Sequence, residues 1–168
     1  LIQREYTPGT NSPTVRVGDV GVGLAICFDV IYDAVIWEGV RAGAEVFVFQ
    51  TNNADFRGTD ENLQQLAFAR MRAIETGRAV VNVSTVGTSQ VITPNGTTLD
   101  GIGVDTAGAS ISAVPLRTGL TPAVILGPWL TALIVLAAAG ALTAAGICHR
   151  ARTRADGANR ATDPGRHP

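Results

Sequence analysis

Between Thr118 and Cys148 the chain carries no charged side chain, and from Ala123 onward the run is almost wholly apolar. No other stretch restricts the fold so severely. About 20 apolar residues cross the hydrocarbon core of a bilayer as a helix, so this run is long enough to span with some tilt. A helix of such length without a polar face is foreign to a water-soluble domain. A transmembrane helix is therefore expected within residues 118–148. Trp129 sits near one end, where an amphipathic ring suits the headgroup level. Gly127-Pro128 would break a helix in its middle, but near the start of a span the missing donor does little harm.

The flanks orient the span. Arg150, Arg152, Arg154, Arg160 and Arg166 follow it, against Asp156 and Asp163. Arginines close to a membrane end favour the cytoplasmic side, so the tail is expected inside and residues 1–117 outside. The near-neutral balance of 13 basic and 14 acidic residues hides this division at the membrane. Residues 149–168 lack apolar periodicity and are rich in Ala, Gly, Thr and Pro, so a disordered Arg-rich tail is expected. The tail has no aromatic interleaving, so no nucleic-acid partner is expected. The opening residues carry no Met, basic region or apolar targeting run. The outer domain's route across the membrane is therefore expected to come from a longer parent chain.

Two cysteines give no disulfide framework. Cys27 falls in the outer domain and Cys148 at the inner end of the span, whereas a bridge needs alpha carbons within about 7 Å. Cys27 is expected as a free thiol. It ends Val20-Gly-Val-Gly-Leu-Ala-Ile26, a buried strand running into a sharp turn, with Asp29 two residues on. A thiol fixed by a sheet and open on its outer side suits nucleophilic chemistry; the plainer alternative is a small apolar core residue.

The remaining punctuation divides the outer domain into short elements. A strand is expected over 14–17, a helix over 30–42 stopped by Gly43, and a buried strand over 45–50. Strand, helix and strand form one crossover unit with a parallel pair. Residues 51–58 make a polar loop at the carboxyl edge, where ligands collect in open α/β sheets. A helix follows over 60–76, with Leu63, Leu66, Ala67, Met71 and Ile74 as its apolar stripe and Gly77 as its stop. Strands are expected over 79–84, over 89–93 and 97–99 around the Asn95-Gly96 turn, and over 109–114.

In this order and spacing four segments resemble the carbon–nitrogen hydrolase (nitrilase) family. They are Ile26-Cys-Phe-Asp29 at the nucleophile turn, Gln50-Thr-Asn-Asn53, Ala69-Arg-Met-Arg-Ala-Ile-Glu-Thr-Gly-Arg78, and Val86-Gly-Thr-Ser-Gln-Val-Ile-Thr-Pro-Asn-Gly96. The span placed directly after them resembles the integral-membrane N-acyltransferase members. The resemblance implies an α/β fold, the carboxyl-terminal half of a nitrilase-like α-β-β-α sandwich followed by one transmembrane helix. It implies Cys27 as nucleophile, the backbone N–H of Phe28 as oxyanion donor, and Asp29, Asn52 and Asn53 positioning the site or lining it. No cofactor and no metal are implied.

The reaction implied is a two-step transfer. The donor is a membrane phospholipid and the acceptor is the α-amino group of an apolipoprotein's lipid-modified amino-terminal cysteine. The setting is a bacterial cell membrane with the catalytic domain outside. One departure stands out: the chain contains no lysine, and the family's Lys and general-base Glu lie upstream of its first residue. A thiol of ordinary pKa about 8.5 needs a base or a positive charge nearby. The chain alone is therefore expected to be an inactive carboxyl-terminal piece. Two other readings stay open: a membrane-tethered amidase that transfers to water, and a non-catalytic tail-anchored binding domain.

Overall fold

A computed structural model describes residues 9–162, with side chains described as far as residue 150. The expected loop at residues 1–8 and the end of the tail at 163–168 lie outside the described residues. The chain forms two compact units, residues 1–125 and 126–168.

The first unit holds β1 (Thr14–Val17), β2 (Val20–Ile26), α1 (Asp33–Arg41), β3 (Val46–Thr51), α2 (Glu61–Thr76), β4 (Ala79–Ser84), β5 (Ser89–Ile92) and β6 (Thr98–Ile102). All six strands join one sheet in sequence order. The β2–β3 and β3–β4 pairs are parallel, and the outer pairs are antiparallel. Parallel sheets are usually covered on both faces, and β2, β3 and β4 have the near-continuous apolar sequence of such strands, although one face is only partly covered in this chain.

One sheet face carries Phe47, Phe49, Val80 and Ile92, packed with Ile36 and Val40 of α1 and Leu66, Ala69 and Ala73 of α2. Glycine makes room for this packing. A Cβ on Gly23 would lie 2.3 Å from Phe47 Cε1, so the phenyl ring occupies the space that a side chain on β2 would need. The opposite face buries Val22, Val46 and Ala79 at the amino-terminal ends of the strands, with Val114 packed against them. Towards the carboxyl ends that face is open, with Ile26 65% and Val83 48% exposed. One helical layer on one sheet is half of the expected sandwich.

Arg78 ties the amino-terminal edge together. Its guanidinium is almost fully buried and donates to Ala44 O (2.5 Å), Thr76 O (2.6 Å), Gly119 O (3.1 Å) and Thr118 O (3.3 Å). Burial lowers its pKa from the ordinary value, and the charge of Glu45 opposes that shift.

Four elements depart from the sequence reading. The helix expected over 30–42 splits into a 3-10 turn over Cys27–Ile31 and α1 from Asp33, with extended backbone at Tyr32 between them. The buried stripe of α2 is Gln65, Leu66, Ala69, Arg72, Ala73 and Thr76, leaving Leu63, Met71 and Ile74 exposed. Its polar members are satisfied inside the protein: Arg72 donates to Val30 O (2.8 Å) and Ile31 O (2.9 Å) and pairs with Asp33 and Glu75. No strand forms over 109–114; that segment is held instead by the hydroxyls of Ser110 and Ser112, both donating to the Asp100 carboxylate. Finally, α3 runs Pro122–Thr162, so residues 149–162, expected to be unstructured, are helical.

Within α3, Pro122–Arg150 is long and apolar enough to cross a membrane, with mean hydropathy 2.2. Pro128 lies inside the helix rather than in its first turn. Its missing N–H leaves the carbonyl four residues back, that of Val124, without its helical donor. Arg41 Nη2 donates to Val124 O at 3.1 Å and fills that vacancy.

Candidate functional site

The carboxyl edge of β2, β3 and β4 gathers the residues that the sequence singles out. β2 ends at Ile26, and Cys27 follows in the left-handed region at φ 54°. Few residues with a side chain adopt that conformation, and it turns the chain sharply out of the sheet. Asp29 stabilises the turn: its Oδ2 accepts the Ile26 N–H at 3.0 Å. Phe28 packs edge-on against Phe56, with ring centroids 6.2 Å apart. Cys27 is half-buried, and both cysteines are free thiols.

Asn52 and Asn53 leave the end of β3 in different directions. Asn52 is exposed, and its Oδ1 accepts the Ala54 N–H (3.2 Å) and the Thr85 hydroxyl (2.8 Å), bracing the loop. Asn53 is buried; its Nδ2 donates to Gln65 Oε1 (3.0 Å), and its Oδ1 accepts the Ser84 hydroxyl (2.6 Å). Gln65 Nε2 in turn donates to Cys27 Sγ at 3.5 Å. The structure thus joins Asn53 to Cys27 through Gln65, while Asn52 braces a separate turn.

Sequence reasoning missed Gln65 and Ser84. The signal for Gln65 was its place on the spacing 65, 69, 72, 76, a helix face that also carries Arg72 and Thr76. Close packing holds the chain of contacts: a Cβ on Gly87 would fall 2.7 Å from Ser84 Oγ and 2.9 Å from Asn53 Oδ1. A cavity of about 420 Å³ adjoins it, with Ser84, Gly87, Gln90 and Ile102 among its walls. Cys27 is not among the residues lining that cavity. No cluster of three or more His, Cys, Asp or Glu side chains that could hold a metal occurs among the described residues.

This arrangement can present a sulfur atom at a sheet edge, on a constrained turn, with an amide N–H directed at it. Comparison with known proteins agrees with such a scaffold. Residues 3–120 match the carbon–nitrogen hydrolase family model. Over 149 residues the chain is 37% identical to apolipoprotein N-acyltransferase of Mycolicibacterium smegmatis, covering 88% of this chain and 24% of that protein. It is 33% identical over 132 residues to the enzyme of the same name from Gloeobacter violaceus, covering 79% of this chain and 25% of that one. The chain thus spans about a quarter of the length of these curated relatives. Among solved structures, Nit3 of Saccharomyces cerevisiae, a member of branch 10 of the nitrilase superfamily, superposes with a TM-score of 0.51 at 22% identity. It covers 60% of this chain and 40% of that one, and shows the shared fold. With the family model covering most of its length, the chain belongs to the carbon–nitrogen hydrolase family.

Proposed function

We propose that this chain supplies the nucleophile of an apolipoprotein N-acyltransferase. The observation that carries the reading is Cys27, held in a left-handed turn at the carboxyl edge of the sheet with its sulfur accepting an amide N–H. The relatives' name and the helix long enough to cross a membrane support it.

In the first half-reaction Cys27 Sγ, as thiolate, attacks the ester carbonyl of a phospholipid. The C–O bond breaks, giving a thioester, and the leaving alkoxide takes up the proton that the thiol first gave to the family's general-base Glu, so a lysophospholipid departs as its alcohol. The backbone N–H of Phe28 belongs to the opening turn of a 3-10 helix, where N–H groups lack helical partners, and would donate to the developing oxyanion. Asp29 fixes the turn, Asn53 sits behind the sulfur through Gln65, and Asn52 braces the loop beside it. In the second half-reaction the α-amino group of a lipid-modified amino-terminal cysteine attacks the thioester. It loses its proton, forms the amide and releases the thiol. A covalent thioester divides one difficult transfer into two. Both substrates are lipid-anchored, so a span of 118–148 with residues 1–117 outside and an Arg-rich inner tail keeps site and substrates in one layer.

The sequence contains no lysine to pair with the thiol. We expect the 168 residues alone to form no acyl adduct. The test is a chimaera in which residues 1–148 replace the matching segment of the Mycolicibacterium smegmatis relative, assayed with a phospholipid and a diacylglyceryl-cysteine peptide. Acylated peptide, lost on Cys27→Ser, is the expected result. Free fatty acid as the sole product would support a hydrolase instead. Transfer surviving Cys27→Ser would overturn the nucleophile assignment.

A further inference from the structure

The chain of contacts behind Cys27 has a polarity, and one end of it cannot be reversed. Gly87 N is a backbone donor, and it donates to Ser84 Oγ at 2.9 Å. The Ser84 hydroxyl donates to Asn53 Oδ1 at 2.6 Å. With its oxygen engaged, Asn53 turns Nδ2 towards Gln65 and donates to Oε1 at 3.0 Å. Gln65, its carbonyl occupied, can offer the sulfur only its Nε2–H. An amide side chain has one acceptor end and one donor end, so once the Ser84 hydroxyl donates to Asn53 the two amide steps that follow are fixed.

We propose that Gln65 is a further functional residue of this site. It is the N–H donor that steadies negative charge on Cys27 Sγ, and Asn53, Ser84 and the Gly87 backbone are positioning residues that keep it from presenting its carbonyl. The proposal rests on the reading of Cys27 as a nucleophile and deepens it. Burial supports the role: Asn53 and Gln65 are both buried, and an amide buried on a helix face is retained only where its bonds are made. Among the described residues, Gln65 supplies the one hydrogen bond that the structure gives the sulfur. Two charged groups on the turn and on α2 are otherwise engaged. Asp29, on the same turn, accepts the Ile26 N–H. Arg72, on α2, is bound to the Val30 and Ile31 carbonyls and to Asp33 and Glu75.

The test is the pH profile of Cys27 alkylation by iodoacetamide in the full 168-residue chain in detergent, followed by peptide-resolved mass spectrometry so that Cys148 is counted apart. Gln65→Met keeps the length of the side chain and removes the N–H without adding charge. Asn53→Leu is also uncharged and takes away the donor that holds the Gln65 carbonyl, so Gln65 is free to turn. Gln65→Met should move the profile to higher pH by about one unit, with alkylation about tenfold slower below the plateau, and Asn53→Leu should move it in the same direction. Gln64→Met, the same change one residue away on the exposed side of α2, should leave the profile in place. Should Gln65→Met fail to fold, Asn53→Leu carries the test. An unchanged profile in a folded Gln65→Met or Asn53→Leu variant overturns the proposal, and so does an equal shift in Gln64→Met. That outcome leaves the nucleophile reading standing if Cys27→Ser still abolishes transfer in the chimaera, so the two failures can be told apart.

Discussion

Replacing Arg78 by Met should destabilise the first unit by about 3 kcal/mol, because it strands acceptors that no water can reach. The guanidinium is 1% exposed, and its two shortest bonds, to Ala44 O (2.5 Å) and Thr76 O (2.6 Å), are buried. A buried carbonyl left without a donor costs about 1–3 kcal/mol, so the pair together accounts for about 4 kcal/mol. Relief of the guanidinium's own desolvation returns part of that, and the methionine stem keeps the packing. The bonds to Gly119 O and Thr118 O lie nearer solvent, so water can replace them. Arg78→Lys retains the charge but not the fork, and should fall between wild type and Met. The assay is urea unfolding in detergent, followed by Trp37 fluorescence in a Trp129→Phe background. A Met variant within 1 kcal/mol of wild type, or a Lys variant as unstable as Met, would refute the reasoning.

Three further outcomes are expected. Gly23→Ala places a methyl 2.3 Å from Phe47 Cε1 and should cost about 1–3 kcal/mol by overpacking; Phe47→Leu in the same chain should recover part of it, as denaturation of the single and double variants will show. The Ser110 hydroxyl, the Gly101 N–H and the Ser112 hydroxyl hold the Asp100 carboxyl below its ordinary value of 3.8. Its contribution is therefore complete above that value and lost as pH falls through the lower folded value. The protection of amides at residues 103–114 against hydrogen exchange, taken relative to their intrinsic rates, should fall on acidification in wild type and be low at every pH in Asp100→Asn. Arg41→Met leaves Val124 O without a donor and should speed exchange in the first turn of α3; unchanged exchange there would count against the role given to Arg41.

Much of this architecture is legible in the residues. β2 and β4 fall where apolar runs bounded by Gly and Asp or by Gly and Thr place them, because parallel central strands announce themselves by continuity. The turn at Cys27 and the stop at Gly77, left-handed at φ 65°, follow from local chemistry that needs no distant partner. The buried side of α2 does not. Apolar spacing points to Leu63, Met71 and Ile74, whereas the protein buries Gln65, Arg72 and Thr76. Each of these meets its partner from a segment remote in sequence or from the preceding helical turn. Residues 109–114 have strand-like alternation but are taken up by Asp100 and by Val114 packing on β2 and β3, not by a ladder. The continuation of α3 beyond the apolar run escapes a hydropathy argument, because a helix already nucleated propagates through residues that would not start one.

The left-handed backbone at Cys27 carries a thermodynamic consequence. With a side chain, that conformation costs about 1–2 kcal/mol, and glycine adopts it freely. Cys27→Gly should therefore raise the midpoint of unfolding, and a lowered midpoint would count against the strain. A gain in stability on deleting the thiol would mark this as a position where the fold tolerates tension for the sake of chemistry.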